Sequence, residues 1–287
     1  MDGIRKIYGN FFDKNQERRY QMKEMIDLHS HILHGLDDGA KTLEESVEMC
    51  LTSFQDGVRT VVATPHTLNG VYQNDRSTIL AKVEELNKAI TKFGAQSSEL
   101  GVQKTSSAFR NLHSAISLTV LSGADVHFST ELLTQIEEGK ALTIGDLGKY
   151  LLLEFPVQGI PYGVEEVLFQ LMVRGITPII SHPERNLEIA SRTQRYFEMI
   201  RMGCLGQVTA MSLTGEFGEE VKRVAEKLLK ARLVQIIASD AHSQNSRPPI
   251  LSSAVQAAAR IVGEEEARKM VTEYPQAVLD GQRPNIP

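Results

Sequence analysis

The stretch "MIDLHSHILHGLDDGAK" places two histidines and two aspartates directly after a short apolar run. Residues two apart in an extended strand project to the same face, so His29 and His31 can reach one common point. Asp37 and Asp38 follow within a few residues. Two imidazoles beside carboxylates are typical of a metal site, although histidines of this kind also serve without metal.

Similar chemistry recurs at the ends of other predicted strands. Seven apolar or β-branched runs predict strands, and the helical periodicity between them predicts helices. These runs are "MIDLHSH", "RTVVATPH", "SLTVLSGADVHF", "YLLLEFPV", "ITPIISHPE", "GCLGQVTAM" and "LVQIIASDAH". Alternation of this kind indicates a parallel sheet with helices outside it. We therefore expect an α/β fold with a closed or nearly closed barrel, forming one domain over residues 25–287.

Six of the seven predicted strands end near a histidine, an aspartate or a glutamate. In a barrel of parallel strands these ends lie on one face, where active sites are built. The convergent candidates are His29, His31, Asp38, His66, Asp125, Glu154, His182, Asp240 and His242. Because the set contains nitrogen and oxygen donors but no thiolate, it suits Mn, Zn or Fe. Nine candidates imply two or three ions.

Two arginines follow strands on the same predicted face. Arg185 lies in "SHPER" and Arg247 in "SQNSRPP". A guanidinium binds phosphate through two parallel hydrogen bonds, so we interpret the pair as a phosphate pocket rather than as surface ion pairs.

The remaining histidines and both cysteines are interpreted more simply. His34 and His113 lack a partner pattern, so we expect both to be exposed to solvent. His127 is either a further ligand or a residue of the pocket wall. Cys50 and Cys204 are far apart and predict small core residues without a disulfide.

Length, charge and hydropathy narrow the functional class. The chain has 287 residues and a net charge of −5, which argues against a general nucleic-acid partner. No apolar run reaches the ~18 residues needed to span a membrane, and the N-terminus lacks a hydrophobic signal core. We expect a cytoplasmic protein without membrane insertion, with a flexible extension over residues 1–24. The polar residues 91–117 predict an insertion or mobile loop, with or without a short helix.

The motif pattern HxH, TPH, SHPER and SDxH resembles the PHP (polymerase and histidinol phosphatase) superfamily of metal phosphoesterases. More narrowly, "IDLHSHILHGLDDGAKTLEES", "VRTVVATPHTLNGVY", "SHPERN" and "IASDAHSQNSRPP" resemble the bacterial manganese-dependent protein-tyrosine phosphatases of capsule and exopolysaccharide operons. This resemblance implies a distorted (β/α)7 TIM-like barrel with a trinuclear metal centre at the C-terminal ends of the strands.

The resemblance also assigns residues to individual ions. It implies a first ion held by His29, His31, Asp125 and Asp240, a second by Asp38, His66 and His242, and a third by Asp125, Glu154 and His182. Arg185 and Arg247 match the phosphate-binding positions and, with Asp240, are the candidate catalytic residues. The third-strand ligand departs from the family pattern, which has glutamate where this chain has Asp125.

The expected function is hydrolysis of phosphotyrosine on a protein, with a bacterial tyrosine kinase of capsule or exopolysaccharide synthesis as the partner and Mn²⁺ as the cofactor. Three alternatives stay open at this point. The chain could hydrolyse histidinol phosphate or another small phosphomonoester, or cleave C–N bonds as an amidohydrolase, which the paired arginines disfavour. It could also be a metal-bound scaffold that docks a tyrosine-rich tail without turnover. The sequence leaves open whether the chain forms a homo-oligomer.

Overall fold

Nine parallel strands form the centre of the described fold. The computed structural model describes residues 24–99 and 117–287. The strands are β1 (Met25–Ser30), β2 (Val58–Ala63), β3 (His66–Thr67), β4 (Thr119–Ser122), β5 (Asp125–His127), β6 (Tyr150–Glu154), β7 (Thr177–Ser181), β8 (Leu205–Thr209) and β9 (Ile236–Ala238). They form two sheets, ordered β1-β2-β4 and β3-β5-β6-β7-β8-β9.

Nine strands are present where seven were predicted because two predicted strands are interrupted. Pro65 separates β2 from β3 and has no backbone N–H for the sheet ladder, although its carbonyl accepts a hydrogen bond from Asp125 at 3.1 Å. Gly123 separates β4 from β5 opposite this point, where a Cβ atom would lie 2.8 Å from a Val62 methyl carbon. Close approach of the two backbones therefore requires glycine. The predicted α/β alternation with parallel pairing is confirmed for every pair of named strands.

The first strand lies beside the segment that follows the last one. Ser30 forms a parallel bridge with Ala241. The backbone N–H of Asp240 donates to the carbonyl of His29, and that of His31 donates to Ala241, each at 2.8 Å. These bonds bring the functional residues of β1 next to those after β9.

Helices cover the outside of the strands. They are α1 (Leu43–Asp56), α2 (Arg76–Glu99), α3 (Leu132–Glu137), α4 (Val164–Val173), α5 (Leu187–Ser191), α6 (Gln194–Met202), α7 (Ala210–Thr214), α8 (Glu219–Lys230), α9 (Ser252–Val262), α10 (Glu264–Lys269) and α11 (Glu273–Leu279). The Thr42 side chain caps α1 by accepting from the N–H of Glu45, a contact worth about 1 kcal/mol. Gly57 forms the C-cap of α1 and adopts a left-handed φ of 102°.

Two clusters of buried apolar side chains form the core. The larger lies between the strands and the helices, and the smaller includes Ile26, Leu28, Leu152, Ile179 and Ile236 from four strands. Because successive strand residues point to opposite faces, strands with apolar clusters on both sides appear as continuous apolar runs in the sequence.

Several further expectations can be compared with the described residues. Cys50 and Cys204 are buried free thiols, as predicted. The first part of the polar segment 91–117 is not a loop, because α2 continues to Glu99. His113 and residues 1–23 lie outside the described residues. Within residues 24–99 and 117–287, no helix combines the length and hydrophobicity required to cross a membrane.

Candidate metal centre

The two histidines of β1 converge, as their spacing predicts. The Nε2 atoms of His29 and His31 lie 3.1 Å apart, and both side chains are fully buried. Asp240 Oδ1 lies 3.4 Å from each of these nitrogens. Three ligand-type atoms from two neighbouring chain segments therefore surround one point.

The other ring nitrogen of each histidine is held by a buried side chain. His29 Nδ1 lies 2.9 Å from Gln207 Oε1, and His31 Nδ1 lies 2.6 Å from Asp37 Oδ2. Since both oxygens are acceptors, each Nδ1 carries the proton in the neutral ring and each Nε2 presents a lone pair. Two lone pairs 3.1 Å apart repel each other unless a cation or a proton lies between them. This arrangement fits a metal ion, and the outer hydrogen bonds are those that usually orient histidine ligands.

The electrostatic environment favours positive charge at the same point. Burial alone would lower the pKa of His31, but the carboxylates of Asp37 and Asp240 outweigh it and raise this pKa to about 10. Burial lowers the pKa of the neighbouring His29 below its ordinary value. The two carboxylates stabilise one added positive charge, which a bound metal cation can supply.

Asp125 lies at the start of β5, between several imidazoles. Its side chain is fully buried, and Oδ2 lies 3.4 Å from His66 Nδ1 and 3.7 Å from His29 Nε2. Among the described residues, neither Asp125 Oδ2 nor His66 Nδ1 has a hydrogen-bond partner. Burial would raise the pKa of Asp125, but the surrounding imidazoles hold it well below its usual range. A buried carboxylate oxygen without a donor, facing several imidazoles, fits a metal ligand.

Glu154 and His182 extend the cluster along β6 and β7. Glu154 Oε1 lies 3.5 Å from His182 Nε2, and Glu154 Oε2 lies 3.6 Å from His66 Nδ1. The side chain of His127 is half-buried and its Nδ1 lies 3.3 Å from Glu154 Oε2. His127 therefore contacts a candidate ligand, which is compatible with either interpretation of this residue.

The remaining candidates lie closer to solvent. Asp38 Oδ1 is 3.4 Å from His242 Nε2 and 3.8 Å from His66 Nε2, while 52% of the Asp38 side chain is exposed. The hydrogen bond from His242 lowers the pKa of Asp38. His242 Nδ1 in turn lies 2.9 Å from the Asp240 carbonyl oxygen. Asp38 thus presents an ionised oxygen to two imidazoles at the mouth of the site.

Three overlapping groups have ligand atoms within 4.8 Å of one another, close enough to share a metal ion. They are His31, Asp38, His66 and His242; His29, His31 and Asp125; and His66, Asp125 and Glu154. The groups contain seven of the nine candidate ligands, without Asp240 and His182. All donors are imidazole nitrogens or carboxylate oxygens, so the residues present fit a cluster of transition-metal ions.

Two candidate ligands have unusual backbone conformations. Asp240 has φ of 51° and His182 has φ of 35°, a region that residues other than glycine rarely adopt. Such conformations cost of order 1 kcal/mol or more each and cluster at functional sites. At Asp240 the hydrogen bond to the His29 carbonyl holds this conformation.

Asp240 joins the imidazoles to the two arginines. Its Oδ1 faces His29 and His31, whereas its Oδ2 lies 2.8 Å from Arg185 Nη2 and 2.5 Å from Arg247 Nη2. Burial would raise the pKa of Asp240, but Arg185 and the imidazoles hold it well below its usual range. This carboxylate is therefore ionised and belongs to both parts of the site.

Both arginine side chains stay partly accessible to an anion. Within the guanidinium of Arg247, Nε and Nη2 are buried; Nη2 is ion-paired with Asp240, and in the described part of the chain neither nitrogen has a partner with hydrogen-bond geometry. The side chains of Arg185 and Arg247 are 23% and 22% exposed. Two guanidinium groups that meet one carboxylate oxygen and stay accessible can bind a tetrahedral oxyanion.

Two functional residues were missed by the sequence analysis. The role of Asp37 depends on a turn after β1 that returns its side chain to His31. Asp37 Oδ2 also accepts from the N–H of His66 at 2.9 Å. Gln207 lies within an apolar strand, and a buried glutamine in such a strand was the available signal. The expectation that His34 is exposed and unpartnered is wrong, because its ring is mostly buried and Nε2 lies 2.7 Å from Lys82 Nζ.

The sequence also matches a known family model. The model describes "Capsular polysaccharide synthesis, CpsB/CapC" and matches residues 25–101 and 96–280. The chain belongs to this family. The span that matches the CpsB/CapC family contains every candidate metal ligand and both arginines.

Individual relatives agree with this assignment. The chain is 34% identical over 223 residues to the tyrosine-protein phosphatase YwqE of Bacillus subtilis, covering 78% of this chain and 79% of the relative. It is 30% identical over 260 residues to the tyrosine-protein phosphatase CpsB of Streptococcus agalactiae, covering 89% and 98%.

A solved structure matches the fold of the chain. The match comes from the crystal structures of YwqE from Bacillus subtilis and CpsB from Streptococcus pneumoniae, described as unique metal-dependent tyrosine phosphatases. It has a TM-score of 0.79 and 31% identity, and it covers 92% of this chain and all of the other. The α/β fold of the CpsB/CapC family is therefore present here.

Proposed function

We propose that this chain is a metal-dependent phosphatase that hydrolyses phosphotyrosine on proteins. One observation carries the proposal: Asp240 presents one oxygen to the imidazoles of His29 and His31 and the other to Arg185 and Arg247. A phosphoryl group bound by the arginines would lie next to the candidate metal ligands. The names of YwqE and CpsB as tyrosine-protein phosphatases support the substrate class.

The proposed cofactor is Mn²⁺, bound as two or three ions, with Fe or Zn as alternatives. The proposed ligands are His29, His31, Asp125 and Asp240 for a first ion, Asp38, His66 and His242 for a second, and Asp125, Glu154 and His182 for a third. Donors restricted to imidazole and carboxylate support this choice. When bound, the ions supply Lewis acidity, which neutralises charge on a phosphoryl group and lowers the pKa of water.

The arginines bind and orient the substrate in this proposal. Phosphoryl transfer requires mainly positioning and neutralisation of the equatorial oxygens, and a guanidinium provides both through paired N–H donors. Asp240 orients the two guanidinium groups and keeps them at the edge of the candidate metal centre. Arg185, Arg247 and Asp240 are therefore the proposed catalytic residues.

The leaving group favours tyrosine over alkyl esters. A phenol has a pKa of about 10, far below that of an alcohol, so it leaves as phenolate without strong protonation. We accordingly assign no general acid. A mouth with half-exposed Asp38 and accessible arginines also suits a phosphate carried on a protein surface.

The finer parts of the sequence interpretation become proposals about the fold. We propose a distorted (β/α)7 barrel in one domain over residues 25–287, with residues 1–24 as an extension. The bridge between Ser30 and Ala241 supports closure between β1 and β9. We further propose a cytoplasmic location and a bacterial tyrosine kinase of capsule or exopolysaccharide synthesis as the substrate protein. The family description supports the link to capsule synthesis.

A substrate panel tests the proposal. Metal-loaded protein should hydrolyse a phosphotyrosine peptide with a higher kcat/KM than a phosphoserine peptide of the same sequence or histidinol phosphate. A preference for histidinol phosphate would replace the substrate class with a small phosphomonoester. Binding of the phosphotyrosine peptide without turnover of any ester would instead indicate a docking scaffold.

A further inference from the structure

One aromatic ring contacts both arginines of the site. The guanidinium carbon of Arg185 lies 5.4 Å from the ring centroid of Phe217, and that of Arg247 lies 5.5 Å from it. Both distances are within the range of cation–π attraction. In the described part of the chain, the other such contacts, Arg59 on Phe54 and Arg201 on Phe197, each pair one ring with one arginine.

The arginines need such support. Their Nη2 atoms meet the same Asp240 oxygen at 2.8 and 2.5 Å, so two like charges are held close together. Among the described residues, Arg247 Nε and Nη2 have no partner with hydrogen-bond geometry to fix the plane of this guanidinium. The negative face of an aromatic ring attracts both cations without using any of their N–H donors.

A short turn fixes the ring in place. Phe217 lies between Gly215 and Gly218, which have φ of 100° and 93°, and the N–H of Gly218 donates to the Gly215 carbonyl at 2.9 Å. The N–H of Gly215 also bonds to Met211 in α7, and the carbonyl of Gly218 accepts from Lys222 in α8. Phe217 is half-buried and belongs to neither core cluster. Its contacts thus serve the site rather than the core.

We propose that Phe217 is a positioning residue that holds the guanidinium groups of Arg185 and Arg247 as one phosphate-binding pair. This inference rests on the proposed function, since it assigns the two arginines to a phosphoryl group. Phe217 acts through the arginines and is not expected to contact the reacting atoms.

Substitution at Phe217 tests this role. Phe217→Leu keeps an apolar side chain of similar size but removes the π face, so affinity for inorganic phosphate should fall about 5- to 30-fold, as expected for two lost cation–π contacts. The kcat/KM for aryl and alkyl phosphates should fall by similar factors, whereas metal content should not change. Phe217→Tyr retains the π face and should restore most of the loss. The matched control is Phe197→Leu, which removes a similar contact with Arg201 outside the site and should change none of these values.

A double-mutant cycle sharpens the test. In an Arg247→Ala background one of the two contacts is already absent, so Phe217→Leu should cause a smaller further loss of phosphate affinity. If Phe217→Leu does not fold, Phe217→Met takes its place. Phosphate affinity is measured by calorimetry and does not require turnover. The binding result therefore tests the role of Phe217 even if the protein hydrolyses no ester. Absence of ester hydrolysis would refute the proposed function, not the role of Phe217.

Three results would overturn the inference. Phosphate affinity unchanged in Phe217→Leu would show that the ring does not support the arginines. A loss equally large in Phe217→Tyr would show that packing shape, and not the π face, matters. A loss confined to aryl substrates, with phosphate affinity unchanged, would show that the ring recognises the substrate directly.

Discussion

The two sides of the site are built in different ways. The imidazole side comprises His29, His31, His66, His182 and His242 with their carboxylates, and it lies mainly at the ends of buried strands. The arginine side comprises Arg185, Arg247 and Phe217, which lie outside the strands: Arg185 ends a single 3-10 turn (Pro183–Arg185), and the other two lie in loops. Asp240 belongs to both sides.

Different interactions hold the two sides in place. On the imidazole side, buried acceptors such as Asp37 and Gln207 fix individual ring nitrogens. On the arginine side, one shared carboxylate and one shared ring hold two partly exposed guanidinium groups. The first arrangement suits permanent ligands, and the second leaves donors accessible to a substrate. Substitutions should therefore separate metal content from phosphate binding.

The largest effect is expected at the shared residue. Asp240→Asn removes the charge that both sides use, so kcat/KM should fall by roughly 10³ or more, beyond the loss of one charge-stabilising group. Metal content, measured by elemental analysis, and phosphate affinity should fall together. Normal metal content with weakened phosphate binding would show that Asp240 belongs to the arginine side alone.

Arginine substitutions should affect one side only. Arg185→Ala or Arg247→Ala removes a preorganised cation, and each should lower kcat/KM by roughly 10² or more. Metal content should stay at the wild-type value. Arg195→Ala is a suitable control, because Arg195 pairs with Glu165 and Glu188 away from the site. Loss of metal from either arginine variant would contradict the proposed division.

Substitution of Asp37, the carboxylate that accepts from His31, should affect the imidazole side only. Asp37→Asn weakens the acceptor for His31 Nδ1, so metal affinity should fall about 10- to 100-fold, as is typical for groups that orient a metal-bound histidine. Excess metal should restore much of the activity. As control, Asp56→Asn changes a carboxylate that also accepts backbone N–H groups, from Leu251 and Ser252, but contacts no candidate ligand. Unchanged metal affinity in Asp37→Asn would refute its orienting role.

The smallest effect is expected from a conservative change at Asp125. The resemblance implies glutamate at this position, so Asp125→Glu should change kcat/KM by no more than a few-fold and leave metal content equal or higher. Asp125→Ala should lose at least one ion, because the carboxylate faces several imidazoles. Normal metal content in Asp125→Ala would mean that Asp125 is not a ligand.

Sequence patterns predicted the parts of the site that depend on local geometry. The convergence of His29 and His31 follows from strand periodicity alone, and the nine candidates follow from the ends of parallel strands. The interruption at Pro65 changed the number of strands without moving His66 away from Asp125, since β3 and β5 pair at these two residues. The predicted strand ends therefore located the candidate metal ligands, although the predicted lengths of two strands were wrong.

Contacts between distant segments could not be read from the sequence in the same way. The pairing of both arginines with Asp240 requires three loops to meet, and no spacing indicates it. The neighbouring aspartates 37 and 38 have similar surroundings in the sequence, yet one orients His31 and the other faces His242. Phe217 offered only a turn motif, "TGEFGEE", without a chemical signal.

Metal removal and restoration test the central claim most directly. Protein treated with a chelator and dialysed should lose hydrolysis of an aryl phosphate, and added Mn²⁺ should restore it as two or three ions bind per chain. Elemental analysis and activity should be measured on the same samples, so that activity can be plotted against bound metal. Full activity in protein that contains no metal would contradict the proposed mechanism.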